Sequence, residues 1–258
     1  MAKPSEFRNL LTRFVTGIIL VGIAVGALYA GKSAFWLLAG LFAVAMIGEW
    51  ANLMSVQRWK AILAIAVMAA LLVFVQPLVR PIDQNSALAL LGGAVAVSAI
   101  AMSLRLGIGF LYIGLAILAI IFLREEYGIA LTLWTLAIVW ATDIGAYFSG
   151  KTIGGPKLAP QLSPNKTWAG LIGGMATALL VSSLIILNTD LPRWLIPVTA
   201  ALAVVAQAGD LYESWLKRRA GVKDASGIFP GHGGALDRLD GLMPVAIVVA
   251  AMATAGRI

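Results

Sequence analysis

Residues 168–187 read WAGLIGGMATALLVSSLIIL, twenty positions in a row without a charged side chain. A helix of twenty residues is about 30 Å long, which matches the hydrocarbon thickness of a bilayer. Eight further runs of 16 to 21 residues are almost as apolar. They cover residues 14–30, 34–54, 61–79, 86–103, 106–123, 129–149, 194–211 and 241–256. The sequence therefore predicts an all-α fold, a polytopic integral membrane protein with about nine transmembrane helices.

The composition of the whole chain agrees with a membrane environment. Hydrophobic residues make up 60% of the 258 positions and charged residues 12%, whereas a soluble domain has roughly 45–50% and about 25%. A soluble protein of this length has too small an interior to bury so many apolar side chains. Because no internal repeat or low-complexity tract divides the sequence, we predict a single membrane-embedded domain over residues 1–258.

Cysteine and histidine usage excludes several kinds of site. The chain has no cysteine and a single histidine, His232. Disulfide frameworks, thiolate nucleophiles and zinc sites built from cysteine or several histidines are therefore excluded. The charged side chains become the main candidates for chemistry.

The distribution of lysine and arginine predicts the orientation in the membrane. With the N-terminus in the cytosol, fourteen of the nineteen basic residues fall in cytosolic segments and five on the opposite side. Cytosolic segments of membrane proteins carry such an excess. This topology leaves two sizeable loops, residues 150–167 and 212–240, both in the cytosol, and places the C-terminus outside.

Three acidic residues lie inside the predicted spans, all toward the cytosolic end: Glu49, Asp143 and Asp210. A carboxylate in hydrocarbon costs on the order of 2–3 kcal/mol, so it usually has a partner or a function. For Glu49, snorkelling to the lipid headgroups is an equal alternative. Asp210 shares one helix face with Glu213 and Lys217, three and seven residues on. We interpret this stripe as a site for a cation or a polar headgroup, with an internally paired, solvated helix surface as the alternative.

The loop before the last span combines acids, glycines and bases. Asp237 and Asp240 lie three residues apart, and Asp210 adds a third carboxylate of the type that Mg²⁺ takes as a ligand. Glycines in this loop allow tight turns that bring backbone N–H groups close to an anion. Residues 217–219 (KRR) are consecutive bases. Such bases alone are typical of a segment that only orients the helix, but the combination favours a site that handles phosphate.

The other loop leads into a second candidate phosphate contact. Ser163, Lys166 and Thr167 stand at the entry to the seventh span. A helix N-terminus attracts anions through its free N–H groups and its partial positive charge. Lys166 in the same turn favours a phosphate contact. A plain N-cap formed by Ser163 or Thr167 is the alternative.

Residues 145–152, GAYFSGKT, match the P-loop pattern GxxxxGK followed by Ser or Thr. That loop needs a strand before it and a soluble parallel sheet behind it, whereas the preceding residues here form an apolar run. Ala146, Tyr147 and Phe148 also supply bulk where the loop needs glycine. We therefore reject a true P-loop, although Lys151 stays a candidate for a phosphate contact.

Several segments resemble one enzyme family. Residues 214–224 (SWLKRRAGVKD), 230–234 (PGHGG) and 237–240 (DRLD) resemble the signature of the phosphatidate cytidylyltransferase, or CDP-diacylglycerol synthase, family. Residues 143–151 (DIGAYFSGK) and 163–168 (SPNKTW) resemble further blocks of the same family. The resemblance covers the C-terminal part of the chain, whereas the N-terminal half matches only in hydrophobicity.

The resemblance implies a nucleotidyltransferase of phospholipid synthesis that converts phosphatidate and CTP into CDP-diacylglycerol and pyrophosphate. It implies Mg²⁺ and a monovalent cation such as K⁺ as cofactors. The expected location is the bacterial inner (cytoplasmic) membrane, in a multi-pass protein whose active site faces the cytosol. Membrane lipid is then a partner and nucleic acid is not, and the helix packing also suits a homodimer.

The resemblance also implies roles for single residues. It makes Asp210 and Asp237 the metal-site acids, to which Asp143 is added as a third candidate ligand. The catalytic candidates are Asp210, Asp237, Asp240, Lys217 and Arg218. The substrate-binding candidates are Lys151, Ser163, Lys166, Thr167, Lys223 and His232. The lipid phosphate would attack the α-phosphorus of CTP while Mg²⁺ and the basic side chains neutralise phosphate charge.

Two other functions fit parts of the sequence. An ion or proton transporter would use Glu49, Asp143 and Asp210 as a relay. Such a protein needs acids near the bilayer midplane, whereas these three cluster toward one side. A CTP-dependent lipid kinase shares the phosphate handling but releases CDP instead of pyrophosphate. Composition does not separate that kinase from a cytidylyltransferase, and the signature resemblance favours the cytidylyltransferase.

Overall fold

The described chain is mostly helical. A computed structural model describes residues 4–76, 81–229, 233–256 and 258, with side chains from residue 15 onward. The helices are α1 Pro4–Ala30, α2 Lys32–Leu53, α3 Arg58–Phe74, α4 Gln84–Ile100, α5 Leu104–Glu126, α6 Gly128–Thr152, α7 Trp168–Leu187, α8 Leu195–Arg219, α9 Leu236–Leu239 and α10 Leu242–Thr254. Each apolar run predicted from the sequence lies mainly on one of these helices, and residues 77–79 at the end of the run 61–79 lie outside the described residues.

The long helices are those of a membrane protein. Within the described residues, five helices are long and apolar enough to cross a bilayer: α2, α5, α6, α7 and α8. Shorter apolar helices cover Val15–Ala30, Gln84–Ile100 and Leu242–Thr254. The prediction of a polytopic helical membrane protein is therefore confirmed, while the number of about nine spans stays a prediction.

A short hairpin between α6 and α7 departs from the predicted all-α fold. Strand β1 (Lys157–Ala159) pairs antiparallel with β2 (Ser163–Thr167), with Lys157 opposite Thr167 and Ala159 opposite Ser163. The hairpin lies inside the predicted loop 150–167, so the helical part of the prediction stands and the strands are an addition to it. Strands of three and five residues are too short to give a readable alternation of apolar and polar positions.

The chain divides into two compact units, and the first consists of Met1–Ile117 together with Ala220–Leu239. In it, α2 contacts α1, α3 and the short helix α9, and α3 contacts α4. The indole nitrogen of Trp50 on α2 donates a hydrogen bond to the carbonyl oxygen of Arg105, 3.0 Å away. Gly109 lies under the same indole ring, where a larger side chain would collide with it.

The second unit consists of Leu118–Arg219 and Asp240–Ile258. Helices α6 and α7 form its closest helix pair, and α8 and α10 pack beside them. A side chain at Gly174 would lie 2.8 Å from the carbonyl oxygen of Thr142, so only glycine permits this approach. Small residues allow such close packing of helices in lipid. The prediction of one domain over the whole chain stays a prediction.

Candidate active site

Four carboxylates gather in the second unit, on α6, on α8 and in the turn before α10. Loss of solvation, followed by the charges of Asp210, Glu213 and Asp143, raises the pKa of Asp240 well above its usual range. A hydrogen bond of 2.7 Å from the Gly241 N–H to the carboxylate of Asp240 opposes this rise. Since like charges shift a pKa only at short range, the four carboxylates share one electrostatic environment.

Glycine at position 209 allows α8 and the start of α10 to meet at this cluster. A side chain on Gly209 would collide with the backbone carbonyl of Asp240 and with the ring of Pro244. Asp210 is the next residue on α8, so this contact brings the two carboxylates together. The position of Asp240 thus depends on the packing of α10 against α8.

Lys217 pairs with Glu213 one helical turn away. The ammonium of Lys217 lies 2.6 Å from the Glu213 carboxylate, which is itself 2% exposed. The hydroxyl of Ser214 is 3.4 Å from the Asp210 carboxylate on the same side of α8. The predicted polar side chains therefore share one face of this helix. The i,i+4 pairing agrees with the alternative interpretation, but Lys217 and Glu213 are only 12% and 2% exposed, so this face is not a solvated surface.

The hairpin delivers a second lysine to the cluster. Lys166 on β2 places its ammonium 2.5 Å from the Asp210 carboxylate, and both side chains are largely buried, with exposed fractions of 16% and 30%. Because β2 pairs with β1, with Thr167 opposite Lys157, the pairing fixes the backbone position of Lys166. Sequence reasoning proposed a phosphate for this lysine and did not predict that it contacts Asp210.

Three further candidates of the second unit, two for substrate binding and one catalytic, have more ordinary surroundings. Thr167 is the N-cap of α7, where its buried hydroxyl oxygen accepts a hydrogen bond of 3.0 Å from the Gly170 N–H. This confirms the N-cap alternative for Thr167, whereas Ser163 begins β2. Arg218 is exposed, with its guanidinium 3.4 Å from the carbonyl oxygen of Leu162. Contacts of these residues with substrate stay predictions.

The segment that matches the P-loop pattern is helical. Helix α6 continues through Thr152, so no loop forms over residues 145–152. The Thr152 hydroxyl donates to the carbonyl oxygen of Phe148 at 2.8 Å. The exposed ammonium of Lys151 lies 3.3 Å from the Tyr147 hydroxyl. The structure therefore supports the rejection of a P-loop.

In the first unit, Asp237 closes the glycine-rich loop. One of its carboxylate oxygens accepts hydrogen bonds from the backbone N–H of Ala225, at 2.9 Å, and of Gly234, at 2.7 Å. Gly233 adopts a φ of 81°, which favours glycine, and a side chain there would also meet the Asp237 carboxylate. The loop does bring N–H groups to an anion, and the anion described here is the protein's own carboxylate.

Glu49 is the second anion of this loop. It lies on α2, is 2% exposed, and accepts hydrogen bonds from Ser226, Ala235 and Leu236. The snorkelling alternative for Glu49 is therefore wrong. Sequence reasoning flagged this buried acid but gave it no partner, because its donors lie 177 to 187 residues further along the chain.

Lys223 and His232 are the other predicted residues of this loop. Lys223 is exposed on the loop, and His232 lies outside the described residues. Asp237 belongs to the first unit and Asp210 to the second.

The carboxylates of the second unit fit a magnesium ion that arrives with a nucleotide. Among the residues that the structure describes, no group of three or more His, Cys, Asp or Glu side chains has the geometry to hold a metal by itself. Mg²⁺, however, usually takes only one or two carboxylates and completes its shell with water and substrate phosphates. Burial, followed by the charges of Asp210, Glu213 and Asp143, raises the pKa of Asp240, and a bound cation would favour the charged form of these carboxylates. Asp143, Asp210 and Asp240 are the acids placed to bind such a cation.

Comparison with known proteins extends the similarity beyond the motifs. A family model described as the cytidylyltransferase family matches residues 11–255. A phosphatidate cytidylyltransferase of Brucella suis biovar 1 (strain 1330) is 40% identical over 255 residues, which cover 93% of this chain and 92% of the relative. Proteins of the same name are 32% identical in Rickettsia bellii (strain RML369-C), over 96% of this chain and 93% of the relative, and 43% identical in Bacillus subtilis (strain 168), over 52% and 51%. The similarity therefore includes the N-terminal half.

Proposed function

This chain belongs to the cytidylyltransferase family, and we propose that it transfers the cytidylyl group of CTP to phosphatidate, forming CDP-diacylglycerol and pyrophosphate for phospholipid synthesis. The observation that carries the proposal is the cluster of Asp143, Asp210, Glu213 and Asp240 with two lysines, in a protein of membrane-type helices. Acids that suit Mg²⁺ and bases that suit phosphate are what a nucleotide requires, and the membrane supplies the lipid.

The reaction needs positioning and charge neutralisation more than proton transfer. An oxygen of the lipid phosphate forms a bond to the α-phosphorus of CTP, and the bond from that phosphorus to the α,β-bridging oxygen breaks. Pyrophosphate leaves with the electron pair of the broken bond. Because a phosphate monoester is already anionic near neutral pH, the enzyme needs no dedicated general base. Catalysis of such transfers is mostly alignment and electrostatic stabilisation.

The residues of the second unit have the roles that this chemistry asks for. One or two of the carboxylates of Asp143, Asp210 and Asp240 would hold Mg²⁺ together with phosphate oxygens, and the ion neutralises triphosphate charge when bound. Lys166 and Lys217 lie within salt-bridge distance of cluster carboxylates, and in this proposal they bind phosphate oxygens. Charged donors of this kind stabilise a departing pyrophosphate.

Further roles rest on the family resemblance alone. Asp237 is proposed as a metal-site acid, Arg218 as a partner of pyrophosphate, and Lys223, His232, Ser163 and Thr167 as substrate contacts. A requirement for K⁺ and formation of a homodimer also stay predictions.

Purified protein in detergent or lipid tests the proposal directly. Given phosphatidate, CTP and Mg²⁺, it should form a lipid that carries cytidine and release one pyrophosphate per lipid formed. A chelator of divalent cations should stop the reaction, because the bare triphosphate repels the incoming lipid phosphate. Pyrophosphate release without phosphatidate would show simple hydrolysis of CTP and would contradict the proposal.

Two single substitutions at the end of α6 separate the family assignment from a nucleotide-binding P-loop. Thr152→Ala should change kcat/KM by no more than about twofold, because its hydroxyl bonds only within the helix. Lys151→Ala should lower it on the order of fivefold, the effect of one exposed charge contact. Steady-state assays of both variants check this. A collapse of activity in Thr152→Ala would revive the P-loop hypothesis, since that hydroxyl would then bind Mg²⁺.

We propose the inner (cytoplasmic) membrane as the location, with the active site on the cytosolic side. The excess of lysine and arginine in alternate loops supports this orientation. Reporter fusions after residues 160 and 225 should both report the cytosol, and a fusion near residue 190 should report the opposite side. A fusion after residue 225 that reports the outside would place the acidic loop on the wrong face for CTP.

A further inference from the structure

A buried carboxylate on α2 is the anchor of the glycine-rich loop in the first unit. One oxygen of Glu49 accepts hydrogen bonds from the Ser226 hydroxyl, at 2.5 Å, and from the Ala235 N–H, at 2.8 Å. The other oxygen accepts one from the Leu236 N–H, at 2.7 Å. Both oxygens are therefore engaged with the loop, and the side chain is 2% exposed.

The loop is shaped to receive this carboxylate. A side chain on Gly234 would come within 2.7 Å of both carboxylate oxygens of Glu49, so only glycine leaves room. The backbone of Gly234 has no left-handed φ, so conformational freedom does not explain the glycine. The close approach of Glu49 does.

Glu49 and Asp237 hold neighbouring residues of the same loop. Glu49 binds Ser226, Ala235 and Leu236, while Asp237 binds the adjacent residues Ala225 and Gly234. Leu236 is also the residue directly before Asp237. Without the Glu49 carboxylate, the hydrogen bonds from Ala225 and Gly234 to Asp237 would remain within the loop. The three hydrogen bonds that join the loop to α2 would be lost. The position of the Asp237 carboxylate thus depends on the carboxylate of Glu49.

We propose that Glu49 is a positioning residue, which holds Ser226, Ala235 and Leu236 on α2 and thereby places Asp237 for cytidylyl transfer. The proposal rests on the proposed function, in which the carboxylate of Asp237 belongs to the metal site. A buried carboxylate that accepts three hydrogen bonds is held in one geometry, and it fixes the positions of the residues that donate those bonds. Small misplacements of a catalytic group, even of about 1 Å, cost up to about 10²-fold in rate.

Two pairs of substitutions, each with a matched control, test this. Glu49→Gln replaces one accepting oxygen by an NH₂ group, which faces an N–H or O–H donor of the loop, whereas Glu126→Gln makes the same change at an exposed acid. Gly234→Ala pushes a methyl group into the Glu49 carboxylate, whereas Gly227→Ala adds one in the same loop where no described atom lies within 4 Å. The second pair keeps the test decisive if Glu49→Gln does not fold.

The first measurement is hydrogen–deuterium exchange without substrates, read on peptides that cover residues 225–239. Glu49→Gln and Gly234→Ala should speed exchange in these peptides at least tenfold and leave exchange in the long helices α2 to α8 unchanged. Both control variants should exchange like the unsubstituted protein. The second measurement is kcat per folded molecule, which should fall on the order of 10²-fold in the two test variants. A purely structural role would lower the melting temperature without changing kcat of the folded fraction.

The outcomes separate this proposal from the proposed function. Unchanged exchange in Glu49→Gln and in Gly234→Ala would overturn the anchoring role. Faster exchange with normal kcat would overturn the positioning role, since the loop would move without affecting the reaction. Failure of the unsubstituted protein to form a cytidine lipid would instead defeat the proposed function, and the exchange data would still report on the anchor.

Discussion

Replacing Asp210 by asparagine is expected to lower kcat for cytidylyl transfer by roughly 10²- to 10³-fold, the scale of losing one preorganised charge contact. The variant keeps the size of the side chain but removes its charge. Asp210 is the acid that Lys166 contacts at 2.5 Å and one of the acids that raise the pKa of Asp240. Without that charge, the cluster loses both the partner of Lys166 and a candidate ligand of Mg²⁺.

Product formation and thermal unfolding of Asp210→Asn, measured in the same detergent, check this expectation. Asp190→Asn, the same change at an exposed acid between α7 and α8, is the matched control and should behave like the unsubstituted protein. Near-normal activity and metal dependence in Asp210→Asn would contradict the assignment. The metal site would then have to be formed by Asp143 and Asp240 without Asp210.

Asp237→Asn is expected to cause a loss of similar size for a different structural reason. One oxygen of Asp237 accepts hydrogen bonds from the backbone N–H groups of Ala225 and Gly234. Asparagine can present its single carbonyl oxygen at that place, so the substitution removes charge while the loop keeps its hydrogen bonds. The variant therefore separates the electrostatic role of Asp237 from its structural one.

Activity and hydrogen–deuterium exchange should diverge in Asp237→Asn. We expect kcat to fall roughly 10²- to 10³-fold, with exchange at residues 225–239 close to that of the unsubstituted protein. Glu49→Gln, by contrast, should change both quantities. If Asp237→Asn kept its activity, Asp237 would only stabilise the loop through its hydrogen bonds, and the role implied by the family resemblance would be wrong.

The sequence predicted best what depends on local periodicity. The apolar runs coincide with helices, and the face shared by Asp210, Glu213 and Lys217 follows from their spacing on one helix. The N-cap role of Thr167 was one of two alternatives, because a hydroxyl before an apolar run is a local signal. In each case the partners lie within a few residues of one another.

The sequence could not predict contacts between distant parts of the chain. Lys166 contacts Asp210 because it lies on a hairpin of two very short strands. Glu49 meets Leu236 across 187 residues of sequence. The loop glycines suggested an anion, but only the packing of α9 on α2 identifies the carboxylates that they accommodate. Such pairings follow from tertiary structure, for which a single sequence carries no periodic signal.

The fate of each phosphorus atom of CTP tests the central claim most directly. Purified protein is given phosphatidate, Mg²⁺ and CTP labelled either on the α- or on the γ-phosphate, and the lipid is then separated from the aqueous phase. We predict that α label enters the lipid and that γ label leaves in pyrophosphate. Transfer of γ label to the lipid with release of CDP would instead identify a lipid kinase and contradict the proposed function.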